Sequence, residues 1–241
     1  MLWNIRGNAG RDQFRQRARE GLLSEGYDKL FDQNENGVIP PNFADLWLLR
    51  EAALSTKPSL ILEYGSGYST YVLAKTLKSI GRGKIISVEV GPEWAAITEA
   101  RLTPDLRPFV EFVSPEPKIR MAMSPVPGNP DLWFKKKSKK PRRLGIATIT
   151  FPDLHDLTPD FVFVDGPDGS QVPGYCDSAT DENLPPIVSD LLLYVRKANP
   201  FICVDGRREQ CAFLSANLPS DYKVKIHEAQ MFTCFNPPRI S

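Results

Sequence analysis

The chain has 241 residues, 41% hydrophobic and 24% charged, a balance that suits a globular domain and excludes fibrous and low-complexity classes. No apolar stretch approaches the roughly 18 residues that suggest a membrane span, and no signal-like apolar segment follows the charged N-terminus, so a cytoplasmic location is expected. The net charge of +1 is unevenly placed, because "KKKSKKPRR" (Lys135–Arg143) concentrates positive side chains and leaves the remainder acidic.

Residues 9–24 have the character of a short polar helix, and "DQNENGVIPPN" then reads as turn and linker. "FADLWLLREAALS" (43–55) sets Phe43, Leu46, Trp47 and Leu54 near one helical face. Residues 1–56 are therefore taken as an N-terminal helical extension, and 57–241 as the main domain. From Ser59 strand and helix patterns alternate. Strands are predicted near 60–64, 84–90, 109–113, 160–165 and 200–204, with helices over 68–79, 92–101, 185–195 and 207–217. The continuously apolar "FVFVD" and "FICVD" suit a parallel sheet buried on both faces. "YKVKIHEAQMFTCFNP" suggests an antiparallel hairpin closing that sheet. Residues 114–159 interrupt the rhythm with prolines, the basic run and two alternating stretches, "KIRMAMS" and "LGIATITF". An inserted hairpin or lid with a basic tip is expected there.

"LILEYGSGYSTYVLAKTL" (60–77) places a glycine corner between the first strand and its helix. Gly65 and Gly67 permit tight backbone geometry and close approach of a ligand, and the helix start presents free N–H groups. Glu63 either accepts from a ligand ammonium or bonds the turn itself. The corner approximates the dinucleotide fingerprint G-x-G-x-x-G, but Thr70 stands at the third glycine position, which weakens the pyrophosphate reading. The next strand ends at Glu89, 22 residues beyond Gly67. A carboxylate there can accept both ribose hydroxyls of NAD or S-adenosylmethionine, or cap nearby backbone.

Taken in order, "LEYGSGYST", "SVEVGPEW", "DFVFVDGPDG" and "FICVDG" make residues 59–205 resemble the class I S-adenosylmethionine-dependent methyltransferase family. Its small-molecule and sugar O-methyltransferase-like members look nearest. The resemblance implies an α/β, Rossmann-like, mostly parallel seven-stranded sheet with helices on both faces and an antiparallel C-terminal hairpin. It implies S-adenosyl-L-methionine as cofactor, with the methionine end near Glu63, Gly65 and Gly67, and Glu89 on the ribose. Tyr68 and Ser69 would close over it, and adenine would lie near the turn after Val113. Asp165 and Asp205 match the aspartates that follow the fourth and fifth strands in metal-dependent members. Here "DG" replaces the usual Asp-Asn pair, so Mg2+ is a conditional expectation held by Asp165 and Asp205.

Asp165, Asp168 and Asp205 lie at strand ends that a parallel sheet brings together, where carboxylates can take a proton or position a hydroxyl. Asp165 is the expected base, with Asp205 beside it and His155 as another candidate; His227 is a weaker one. Arg207 and Arg208 either bind an anionic acceptor or face solvent. The expected activity is O-methylation of a small polar, anionic or carbohydrate acceptor, and the loop 169–186 would shape its pocket. An NAD-dependent oxidoreductase is one alternative. A nucleic-acid or anionic-surface binding module using Lys135–Arg143 is the other. Cys176, Cys203, Cys211 and Cys234 are widely spaced, and His155 and His227 are the only histidines, so a zinc site is unsupported and the cysteines are read as reduced and structural.

Overall fold

The computed structural model describes residues 7–31, 40–124, 144–175, 185–227 and 232–238. Helices α1 (Gly7–Ser24) and α2 (Phe43–Thr56) come first. Strand β1 (Leu60–Tyr64) leads to α3 (Tyr68–Ile80), β2 (Lys84–Val88) to α4 (Pro92–Arg101), and β3 (Val110–Val113) follows. Strands β4 (Lys118–Ser124) and β5 (Leu144–Thr150) pair with each other, antiparallel, as the alternating stretches predicted. Next come β6 (Phe161–Val164), α5 (Leu191–Ala198), β7 (Phe201–Asp205), α6 (Arg208–Asn217), β8 (Lys223–His227) and β9 (Phe232–Asn236). The basic run and the hairpin tip lie outside the described residues, as does Cys176.

The main sheet has seven strands in the order β3-β2-β1-β6-β7-β9-β8. The neighbours from β3 to β7 are parallel, whereas β9 runs antiparallel to both β7 and β8. This is the Rossmann-like sheet expected from the sequence, reversed C-terminal hairpin included. Alternation along each strand divides the core in two. Ile61, Phe161, Phe163 and Cys203 pack with α1, α2 and α3 on one face. Leu62, Tyr64, Val162, Val164, Ile202 and Val204 pack with α5 and α6 on the other. At the amino ends, the Asp160 carboxylate accepts from Ser59 N at 2.8 Å and Leu60 N at 3.0 Å, locking β6 to β1 in register.

The predicted helix at 185–195 starts six residues late. Two prolines open the segment, and Val188 is drawn into an extended bridge with Ile149. The Gln210 amide holds it there, accepting from Val188 N at 2.7 Å and donating to Val188 O at 3.2 Å. Helix formation begins only beyond those bonds. Cys203 and Cys234 sit opposite each other on β7 and β9, free thiols with sulfurs 3.4 Å apart in the core.

Helix α2 buries Leu46, Leu49 and Ala53, a stripe at helical spacing. Helix α1 crosses it so closely that a Cβ on Gly21 would lie 2.5 Å from the Trp47 ring. Gly21→Val is therefore expected to cost about 1–3 kcal/mol by overpacking. Urea unfolding curves measure this, and an unchanged midpoint would contradict the packing described.

Candidate functional site

The order of the sheet reverses between β1 and β6, which opens a crevice at their carboxyl ends. Two glycines cross there. Gly65 has φ +87°, a backbone region that favours glycine, and a Cβ on it would stand 2.7 Å from the Gly166 backbone. A Cβ on Gly166 would approach Gly65 Cα to 2.4 Å. The crossing is pinned by Tyr64 O, which accepts from Asp165 N at 2.9 Å and Gly166 N at 2.7 Å. Gly67 differs, because a Cβ placed on it meets nothing within 4 Å. The first glycine serves chain against chain; the second leaves room above the start of α3.

Two glutamates frame this corner. Glu63 is fully buried beneath it and accepts from the hydroxyls of Ser69, Thr70 and Ser87, each at 2.7 Å. Burial raises its carboxyl to about 7, against the pull of those three donors. Its oxygens are thus filled from within, and Glu63 is outside the cleft lining. It braces β1, α3 and β2, the second of the two roles that the sequence leaves open for it. Glu89 does line the cleft. It accepts from Ser66 N at 2.9 Å, Ser66 Oγ at 3.0 Å and Gly91 N at 2.9 Å, so it stands at the bend that carries Gly65 and Gly67.

The cleft measures about 540 Å3 and runs from Glu89 and Trp94, past Gly65–Ser69, to the ends of β6 and β7. Its far wall is α2, which contributes Asp45, Leu46 and Leu49. Asp165, Asp168 and Asp205 line the floor beside them. Asp165 is exposed to the cleft. Desolvation of its carboxyl by the protein packed about it, then the neighbouring Asp205 charge, raises it to about 7, and Arg207 opposes the shift. Asp205 is half-buried and rises to about 7 through burial and then Asp45, again opposed by Arg207. Asp45 rises to about 7 through burial and then Asp165, with Arg15 pulling the other way. Three carboxyls thus face one another in a shared space.

Arg207 is buried, and its guanidinium donates to Pro167 O at 2.8 Å, to Asp165 O, and to Asp168 Oδ1 at 3.3 Å. It staples the loop after β6 to the turn after β7, so its part is structural before any ligand arrives. Tyr68 and Ser69 both border the cleft; Arg101 stacks over the Tyr68 ring at 4.1 Å, and the Ser69 hydroxyl is engaged by Glu63. Ser114, in the turn after Val113, bonds the Glu89 carbonyl, but Trp94 and Gln171, not that turn, line the cleft beside Glu89.

His155 does not line the cleft; its Nε2 bonds Asp190 Oδ1 at 2.9 Å, at the start of α5. His227 lies on β8, against the Phe232 ring, also away from the cleft. Asp165 and Asp205 do share the cleft, and among the described residues no group of three or more His, Cys, Asp or Glu is arranged to hold a metal ion. No helix among the described residues is long and apolar enough to cross a membrane. Asp45 and Trp94 line the cleft without having been expected there. Asp45 left only the faint signal of a charge amid an apolar helical run; Trp94 stood in the quoted motif "SVEVGPEW" without a role.

No family model and no curated protein matches the chain. Solved structures are similar to the chain at low identity. The O-methyltransferase TomG from Streptomyces achromogenes, involved in tomaymycin synthesis and solved with SAM, is 16% identical, covers 98% of this chain and 92% of its own, and has a TM-score of 0.43. An O-methyltransferase from Bacillus cereus solved with SAH is 14% identical, with 97% and 93% covered and a TM-score of 0.43. A methyltransferase from Geobacter sulfurreducens is 12% identical, with 97% and 90% covered and a TM-score of 0.48. At that similarity none of them assigns a role to a residue here.

The raised carboxyls give a signed expectation. Folded-state pKa values above the ordinary aspartate value mean that the folded chain holds protons the unfolded chain releases, so stability falls as pH rises from about 4 to about 7. Asp45→Asn removes one such carboxyl. Relative to the parent, it should gain on the order of 1 kcal/mol between about pH 5 and about pH 8. Thermal melts of both proteins across that range measure it, and parallel curves would count against the shared charge.

Proposed function

We propose that the protein transfers a methyl group from S-adenosylmethionine to a small acceptor bound between α2 and the carboxyl ends of β6 and β7. The observation that carries this is the position of Glu89, bonded to the bend at Ser66, beside a Gly67 face open to a ligand. The residues suit the cofactor. Gly67 admits its amino-acid portion to the start of α3, Glu89 presents carboxylate oxygens to the ribose, and Trp94 offers an aromatic face to adenine. The ordered motifs of residues 59–205 support the same assignment.

Bound S-adenosylmethionine supplies an electrophilic methyl on a sulfonium sulfur. The protein's part is orientation and control of a proton. Asp165 faces the cleft with a carboxyl near 7, matched to accept the proton of an acceptor hydroxyl near neutrality. Desolvation and, after it, repulsion from Asp205 hold that value up, and Arg207 fixes the loop that carries Asp165. O-methylation is accordingly the reaction we favour.

NAD-dependent oxidoreduction is less well supported. Thr70 occupies the place of the third fingerprint glycine, and its hydroxyl is committed to Glu63 and Gly67 N. The binding module built on Lys135–Arg143 draws on residues outside those described. Titration calorimetry discriminates the two cofactors. S-adenosylhomocysteine should bind and NAD should not. Glu89→Ala should weaken binding about tenfold or more through the lost ribose bonds, and Gly67→Val should block it by filling the open space. Tight NAD binding with no S-adenosylhomocysteine binding would overturn the proposal.

A further inference from the structure

The wall contributed by α2 has a feature that methyl transfer to a neutral alcohol leaves unused. Asp45 is 4% exposed and lines the cleft, its Oδ2 accepts from Asn42 Nδ2, and its Oδ1 is buried with no hydrogen-bond partner. A buried carboxylate oxygen left unpaired is costly, and such atoms mark places where a donor arrives from elsewhere. The charge of the lining points the same way. Asp45, Glu89, Asp165, Asp168 and Asp205 contribute five acidic groups against the two guanidiniums of Arg101 and Arg207. Arg207 is turned toward Asp168 and the Asp165 and Pro167 carbonyls, Arg101 lies over Tyr68, and the positive charge acting on Asp45 is that of Arg15 on α1, outside the lining.

We infer that the acceptor is a small organic cation, an amino alcohol or amine-bearing phenol, whose ammonium sits between Asp45 and Asp205 while its hydroxyl meets Asp165. Asp45 Oδ1 takes one ammonium N–H, and Asp205 takes another. An ammonium suits this wall better than a metal ion for two reasons. The described carboxylates do not converge as a metal-ligating set, and Leu46, Leu49 and Phe163 give the same cleft an apolar strip for a carbon body. The mutual repulsion of Asp45, Asp165 and Asp205 falls when a positive charge enters among them, so the cleft is preorganised for a cation. This deepens the methyl-transfer proposal and rests on it for the role of the hydroxyl.

The test uses the full chain and three matched probes: tyramine, its neutral analogue para-ethylphenol, and its anionic analogue para-hydroxyphenylpropionate. Binding is followed by ligand-observed NMR with and without S-adenosylhomocysteine. Tyramine should bind about tenfold more tightly than the neutral analogue, and the anion most weakly. Asp45→Asn, and independently Asp205→Asn, should reduce tyramine to the level of the neutral analogue while S-adenosylhomocysteine still binds. Equal affinities, a preference for the anion, or a tyramine preference that survives in both variants would overturn the inference. The ranking in the unaltered protein decides the matter even where a variant fails to fold. Loss of S-adenosylhomocysteine binding with the tyramine preference intact would remove the methyl-transfer proposal and leave the cation site standing. S-adenosylhomocysteine binding with no tyramine preference would remove the cation site alone.

Discussion

The contact on which the cleft depends is between two backbones. Gly65 and Gly166 cross at the point where the sheet reverses its order, nearer than any Cβ would allow. Because the chains leaving β1 and β6 meet there, the bend bearing Gly67 turns toward Glu89 and the loop bearing Asp165 turns toward β7. A side chain at either glycine would push the two strand ends apart and separate the groups they deliver. The substitution that matters most at this site is therefore one that touches no ligand at all.

Around that crossing the protein combines two kinds of polar burial. The Glu63 carboxylate is satisfied from within, the Arg207 guanidinium bonds the Asp165 and Pro167 carbonyls, and each ties together segments distant in sequence. Asp45, Asp165 and Asp205 are left facing one another, with an unpaired oxygen on Asp45. The first set fixes shape, and the second stores electrostatic repulsion that a ligand can relieve. Asp45 also alters the standing of the N-terminal helices. They share one core with α3 and the sheet, and they complete a wall of the cleft.

The sheet was legible because its strands are short apolar runs separated by glycine and proline, and the two alternating stretches of the insertion paired as their patterns required. The corner and Glu89 were legible because strand, turn and helix are local in sequence. Misplacements arose where sequence position had to stand for position in space. His155 lies just before the strand that carries Asp165, yet its ring is turned to Asp190 and does not line the cleft. Glu63 and Glu89 both end strands, but Glu63 points into the helical layer, whereas Glu89 reaches the bend. Asp45 reached the cleft through the docking of α2, and that docking depends on packing between helices that no local pattern encodes. The late start of α5 has the same origin, since Gln210 captures Val188 across the fold.

The hydroxyl triad around Glu63 has a direction. Ser69, Thr70 and Ser87 each give their one proton to the carboxylate, so their lone pairs must face away from it. Thr70 turns that leftover lone pair on Gly67 N at 3.1 Å, fixing the first peptide of α3. Were Glu63 to take up a proton, one hydroxyl would have to become its acceptor and turn its own proton elsewhere; if it were Thr70, one lone pair would face Glu63 and the other Gly67 N. The ionisation of a carboxyl sealed inside the sheet is thereby wired, by a single rotating hydroxyl, to the stretch of main chain that borders the cleft.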